Sequence, residues 1–178
     1  MAQKPHHDAE EDHIITKPQE GLTIFKPRAL NIVWGEDARY WRLPEPTSTT
    51  GAAELKQVSW LEVTGKTKKG EPPAAGNYEV GFKIALKDDA FGWSNCHVFL
   101  MAKVGKRGKY AWKKVSPLNK DEQQANGGSS QKNIRLVIKP DDEDRQIYFG
   151  LYEVWSGKWK GGLLIHEAYV KRVEAINS

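Results

Sequence analysis

The chain has 178 residues, 39% hydrophobic and 28% charged, which is enough to bury one substantial core and suits a single domain with a tail. A net charge of +4 tolerates an anionic partner without demanding one. One cysteine, Cys96, excludes an internal disulfide framework, and no segment has the length and apolarity of a membrane span. With no apolar leader and no Asn-x-Ser/Thr acceptor, the expected location is the cytoplasm, with the nucleus as a second compartment.

Residues 1–26 read as a flexible polar extension. Met1 to Asp12 has no apolar period with which to offset its own ordering entropy. His6, His7 and His13 have no closed ligand set around them, so a solvated tail is expected rather than a metal site. Ile14-Ile15 and Leu22 to Phe25 are short apolar runs able to pair as edge strands or dock on the body. From residue 27 to residue 178 the signal is one β domain.

Leu30, Ile32 and Trp34 share one face of an extended run, and Gly35-Glu36-Asp37 is turn chemistry. Arg39-Tyr40-Trp41-Arg42 then brings rings and cations together. Trp34 and Trp41 are an odd number of residues apart, so only a turn can bring both rings to one surface. Thr50 to Lys56 could make one helical turn. Val58 to Val63, Tyr78 to Lys87, His97 to Val104, Tyr110 to Val115, Ile134 to Lys139, Ile147 to Tyr152 and Leu163 to Val173 all read as strands. The clearest is Tyr78, Val80, Phe82, Ile84 and Leu86, apolar at every second position. Gly105 to Gly108 is a hairpin turn. The linkers are Pro44 to Gly51, Lys66 to Gly76, Asn119 to Gln131 and Pro140 to Asp144. Short strands with polar turns make an all-β antiparallel sandwich; periodicity does not choose a jelly roll over another Greek-key order.

Chemistry is sparse. Glu36, Asp37, Glu62, Glu153 and Glu167 are available carboxylates, but nothing in the sequence pairs two of them across a cleft. Gly-x-Ser-x-Gly, His-Glu-x-x-His and phosphate-loop motifs are absent. Cys96 and His97 are adjacent on a strand and point to opposite faces, which makes a poor nucleophile–base pair. The expectation is a binding protein without catalysis, metal or cofactor.

A sugar site needs rings for the C–H face of a pyranose and polar groups for its hydroxyl rim. Trp34, Arg39, Tyr40 and Trp41 form one such cluster, and Glu153, Trp155, Lys158 and Trp159 around Ser156-Gly157 form a second. Thr47 to Thr50 adds hydroxyls on a loop. A core role and a stacking role fit Trp34 equally; Trp41, among cations, is expected to be partly exposed. Trp60 and Trp112 are expected in the core, Trp93 as a loop plug, and at least one of Trp155 and Trp159 at the surface. Lys103, Lys106, Arg107, Lys109, Lys113 and Lys114, with Tyr110 and Trp112 interleaved, read as a solvated hairpin face, with single-stranded RNA as the alternative ligand.

Asn31-Ile32-Val33-Trp34 followed by Arg39-Tyr40-Trp41 resembles the opening signature of the plant phloem lectins, the phloem protein two and Nictaba-like family. Glu54 to Gly65, Asp89 to Trp93, and Gly150 to Glu153 followed by Lys158 to Leu163 resemble its later signatures in the same order. The resemblance runs from about Lys26 to about Val173. It implies a jelly-roll lectin that binds N-acetylglucosamine oligomers (chito-oligosaccharides and N-glycan cores) in phloem sap, with a role in plant defence or signalling. It implies site roles for Trp34 and Trp41, for the acid Glu153, and loosely for a hydroxyl of Thr49 or Thr50. Arg39, Tyr40, Lys158 and Trp159 complete the candidate set. Arg42-Leu43-Pro44 departs from the aromatic or apolar residue the family usually has soon after the second tryptophan, which leaves the outer edge of the site unspecified. One short site binds a single sugar weakly, so a homodimer is expected. The alternatives are an RNA- or protein-binding phloem-mobile factor and a structural phloem filament protein linked through Cys96.

Overall fold

A computed structural model of the chain describes residues 4–115 and 128–174, and its regular structure is almost entirely strand. The strands are β1 (Ile14–Lys17), β2 (Leu22–Phe25), β3 (Asn31–Ile32), β4 (Trp41–Arg42), β5 (Ala53–Leu55), β6 (Leu61–Lys66), β7 (Gly76–Phe91), β8 (Val98–Val104), β9 (Ala111–Val115), β10 (Ser130–Ile138), β11 (Ile147–Glu153) and β12 (Gly161–Val173). They form two antiparallel sheets. One has five strands in the order β3-β6-β11-β8-β9. The other has seven: β12 pairs with β7 along its length on one side, and with β2 and then β5 on the other. This is the sandwich of jelly-roll type expected.

Alternation builds the core. Tyr78, Val80, Phe82, Ile84 and Leu86 of β7 are all buried, as are Ile147, Phe149 and Leu151 of β11 and Val98, Leu100 and Ala102 of β8. Phe149 locks the two sheets together, edge-to-face against Phe25 of β2 at 5.0 Å and against Phe82 of β7 at 5.8 Å. Its cross-strand partner is Gly65, where a Cβ would lie 2.5 Å from the Phe149 ring. The glycine makes room for the ring that joins the layers.

Several expectations are corrected. Residues 4–25 are not a solvated extension: β1 and β2 extend the seven-stranded sheet, and His7 is buried in a two-bond bridge to Ile32, 3.0 and 2.9 Å. The ordering of this polar stretch is offset by pairing with distant backbone, which no local apolar period reports. Residues 53–55 are strand β5, not a helical turn. Trp60 and Trp112 are 45% and 64% exposed, because Trp60 precedes β6 and Trp112 takes the outward face of the edge strand β9. Trp93 does plug a loop: it is buried and its indole N–H donates to the Gly161 carbonyl at 2.9 Å. Most of the expected Asn119–Gln131 linker lies outside the described residues, and its last two residues open β10. No helix among the described residues is long and apolar enough to cross a membrane.

Because Phe149 is held by two other rings, it cannot yield to a side chain at position 65. Gly65→Ala should therefore destabilise the fold by about 1–3 kcal/mol, read as a lower midpoint in urea with an unchanged slope. An unchanged midpoint would show that the Phe149 contact is not a constraint.

Candidate binding site

After β3 the chain leaves the sheet sharply. The Gly35 N–H donates to the Ile32 carbonyl at 2.9 Å, and Trp34 takes φ +67°, a left-handed conformation that bulky side chains rarely adopt. That turn lifts the Trp34 ring out of the alternation that buries Leu30 and Ile32 and leaves it 37% exposed. The Trp34 N–H donates to His6 Nδ1 at 2.9 Å, and the two rings meet edge-to-face at 5.2 Å. Tyr40 packs edge-to-face on Trp34 at 5.6 Å, and Trp159 lies 6.4 Å from Tyr40, tilted by 31°. Four rings from three segments thus line one surface.

The polar edge of this surface is Asp37 with Arg39. The Arg39 Nε and Nη2 donate to the two carboxylate oxygens of Asp37 at 3.0 and 2.7 Å, and the Arg39 N–H adds a third bond at 3.0 Å. These bonds from Arg39 hold the Asp37 carboxyl down at about 2, so it is ionised at any physiological pH. The Arg39 guanidinium also lies 5.1 Å from the centre of the Tyr40 ring.

Trp159 comes from the loop between β11 and β12, and a buried ion pair sets that loop. Glu153 closes β11 and pairs with Lys160, a lysine with no solvent exposure. Glu153 also accepts from the Ser156 N–H and hydroxyl at 3.1 and 3.0 Å. Lys160 Nζ donates further to the carbonyls of Ser59 and Lys158, at 3.1 and 3.0 Å. Burial pushes the Glu153 carboxyl up, but the bonds from Lys160 and Ser156 outweigh it and leave it below the ordinary range. Gly92, at φ +85°, lets the 91–93 loop pass against this segment; a Cβ there would lie 2.2 Å from the Trp159 carbonyl oxygen.

The structure therefore brings together Trp34, Arg39, Tyr40 and Trp159, and it leaves Lys158 exposed beside Trp159. It separates the others. Trp41, expected at the surface, is 2% exposed in β4, where it lines a concavity of about 360 Å³ with Arg28, Glu36 and Lys56; its indole N–H has no hydrogen-bond partner. Glu153 faces inward with its oxygens engaged, so it positions the Trp159 loop instead of facing a ligand. Thr49 and Thr50 line a different hollow with Lys26, Lys83, His166 and Glu167. Sequence reading missed His6, which the polar N-terminus disguised, and the pairing of Asp37 with Arg39, although Asp-x-Arg directly after the Gly35 turn was visible.

Other features lie apart. Phe99, Met101, Trp112 and Trp155 line an apolar hollow of about 380 Å³ on the outer face of the five-stranded sheet, with Trp112 and Trp155 both edge-to-face on Phe99. Along the same strands, Lys103 Nζ sits 4.6 Å from the Tyr110 ring centre and 5.5 Å from that of Tyr148. Cys96 is fully buried, and burial pushes its thiol up. Among the described residues, no group of three or more His, Cys, Asp or Glu is placed to hold a metal ion.

Lys160→Met would strand the Glu153 charge in the interior and should cost about 3–5 kcal/mol of stability. The lowered carboxyl of Glu153 gives a signed pH effect. Its contribution is complete above the ordinary glutamate range, about pH 4.3, and is lost as pH falls through the lowered value. Urea unfolding of Glu153→Gln at several pH values should show a shallower acid loss than the parent; an identical slope would remove this pair from the acid response.

Residues 22–171 match the family described as Phloem protein 2. The chain is 42% identical to Protein PHLOEM PROTEIN 2-LIKE A9 of Arabidopsis thaliana over 182 aligned positions, covering 97% of this chain and 99% of that protein. It is 31% identical to Protein PHLOEM PROTEIN 2-LIKE A1 of the same plant, covering 75% of this chain and 54% of that protein. A protein named Lectin from Luffa acutangula is 36% identical over 69 residues, 37% of this chain and 33% of that one. Among solved structures, a GH26-CBM35 β-(1,4)-mannanase from Podospora anserina superposes with a TM-score of 0.50 at 7% identity, over 89% of this chain and 29% of that one, a likeness of fold alone. With the family match spanning most of its length, this chain belongs to the phloem protein 2 family.

Proposed function

We propose that this chain is a non-catalytic lectin that takes oligosaccharides of N-acetylglucosamine across the Trp34–Tyr40–Trp159 surface. The observation that carries the reading is the convergence of three partly or largely exposed rings, delivered by two distant segments, beside a fixed Arg39–Asp37 pair. Exposed rings in contact offer stacking area for the C–H faces of successive pyranoses, and a pinned guanidinium–carboxylate pair offers both donors and acceptors to hydroxyl or acetamido groups. The relative named Lectin in Luffa acutangula supports the same class.

In this reading Trp34, Tyr40 and Trp159 stack on sugar, Arg39 and Asp37 bond the rim, and Lys158 stands at the far edge. Trp41 and Glu153 act from beneath, as supports. Thr49 and Thr50 contribute nothing to the first sugar bound. Avidity through two protomers would raise a weak single-site affinity, and the family's name points to phloem sap as the place of action.

The RNA reading has less support. Lys103 already lies over the Tyr110 and Tyr148 rings, which takes this cation and one face of each ring away from a nucleic-acid strand. Burial of Cys96 likewise counts against a filament linked through that thiol.

Calorimetric titration with chitotriose, with a glucose trimer as control, tests the proposal. Saturable heat should appear with chitotriose only. Trp159→Ala should weaken binding by about tenfold or more, a loss of at least ~1.4 kcal/mol, while Thr49→Ala and Thr50→Ala leave it unchanged. Trp34→Ala should do the same without unfolding the chain. Absence of heat with any chito-oligosaccharide would sink the reading.

A further inference from the structure

The segment Lys4 to Ala9 is tied to the Trp34 turn by more bonds than a docked tail needs. The Glu36 N–H donates to the Pro5 carbonyl at 2.9 Å, the Ala9 N–H to Asn31 Oδ1 at 2.9 Å, and His7 exchanges both backbone bonds with Ile32. Two adjacent histidines complete the tie, and their proton demands are opposite.

His7 is 3% exposed, and each of its ring nitrogens meets an acceptor: Nδ1 lies 2.6 Å from Glu36 Oε1, and Nε2 lies 3.1 Å from the Arg28 carbonyl oxygen. A carbonyl oxygen can only accept, and an ionised carboxylate can only accept, so both bonds are made only when both nitrogens carry protons. A neutral His7 would set a lone pair against one of these oxygens inside a buried site, which is costly. His6 is the reverse. Its Nδ1 accepts from the Trp34 N–H, a group that can only donate, so Nδ1 must be free of a proton. Protonated His6 would face donor to donor at the residue whose backbone is held in the left-handed region.

We propose that His6 and His7 are positioning residues of the Trp34 site, and that the site is fully assembled only in the pH interval where His7 carries two ring protons and His6 carries one. This rests on the sugar-binding reading above for its ligand, but not for its chemistry. Around His7 the charged groups are the Glu36 carboxylate from the turn, the Arg28 guanidinium from the segment before β3, and Lys4, His6, Asp8 and Glu10 from its own segment. Glu10 is neutralised by Arg28 at 2.9 Å and Asp8 by Lys4 at 2.8 Å. Glu36 is therefore the charge that faces the imidazole without another salt-bridge partner among the described residues.

The consequence is a bell-shaped pH profile. The acid limb comes from protonation of His6 and the alkaline limb from loss of the second proton of His7. Substitutions separate the limbs. His6→Asn keeps an acceptor oxygen near the Nδ1 position and should remove the acid limb, whatever it does to the peak affinity. Glu36→Gln supplies an amide donor to a neutral His7 Nδ1 and should remove the alkaline limb. A contact of packing alone would lower affinity equally at every pH.

The test has two independent readouts on the full chain. Nitrogen-15 spectra of the histidine rings, recorded without ligand across a pH series, should show an interval in which both nitrogens of His7 are protonated while His6 is the Nε2–H tautomer. Chitotriose titrations across the same range should give the bell, with affinity falling about fivefold to tenfold at either side. The profile should flatten in the His6→Asn, Glu36→Gln double variant. The absence of any such interval, or a profile the two variants leave unchanged, overturns the inference. Correct ring states with no chitotriose binding at any pH would instead overturn the sugar-binding reading while leaving the proton requirement of the turn in place.

Discussion

The ion pair between Glu153 and Lys160 is the constraint on which the exposed end of this sandwich depends. A lysine with no solvent exposure must find acceptors for its three protons, and this one does so with Glu153 and the carbonyls of Ser59 and Lys158. One side chain thus fixes the end of β11, the approach to β6 and the loop that carries Trp159. The Val58–Lys160 bridge adds backbone bonds at 2.9 and 3.0 Å to the same junction. A hydrophobic pair of similar volume could fill that space, and buried ion pairs are not reliably more stabilising than such a pair. What the hydrophobic pair would lack is direction: it could not specify where the carbonyls of residues 59 and 158 stand, and so could not hold the loop in one conformation.

The other half of the ring surface is held by a different device. A tryptophan at φ +67° stores strain of about 1–3 kcal/mol, and such strain persists only where surrounding contacts over-determine the conformation. Here those contacts come from the polar N-terminal segment, through His6, His7 and Pro5. The strain has a clear geometric result. An extended residue 34 would continue the alternation of Leu30 and Ile32 and bury its ring; the left-handed turn sends the ring outward to meet Tyr40 and, through it, Trp159.

Sequence was informative wherever the controlling interaction was local. The period of two in residues 78–86 read directly as β7, the Gly105–Gly108 turn as the β8–β9 hairpin, and the signatures placed four members of the ring surface and its edge, Trp34, Arg39, Tyr40 and Trp159, in the candidate set. It failed where partners are remote. Trp41 looks exposed among Arg39, Tyr40 and Arg42, yet its pairing with Leu55 turns it into the core. Trp112 fits a strand pattern, but on an edge strand whose outward face is uncovered. Glu153 has the signature of a ligand-binding acid, and only the burial of Lys160, seven residues on, shows that its charge is spent internally. His6 and His7 lay in the least patterned stretch of the chain, because their partners are some thirty residues away and are mostly backbone atoms.

These two supports bear on how a shallow surface could bind at all. Ordering a flexible side chain on association costs about 0.5–1.5 kcal/mol each, and a loop that must also settle its backbone costs more. Rings presented on strands escape that cost through the sheet; Trp34 and Trp159 sit on loops and do not. Each loop is instead tied into the body by hydrogen bonds of buried polar side chains, Lys160 on one side and His7 on the other. Both ties act through buried polar groups whose loss leaves an unpaired partner, so each is strong when complete and costly when broken. A surface assembled this way has little conformational freedom left to lose on meeting a ligand, and its affinity becomes sensitive to residues that never touch that ligand.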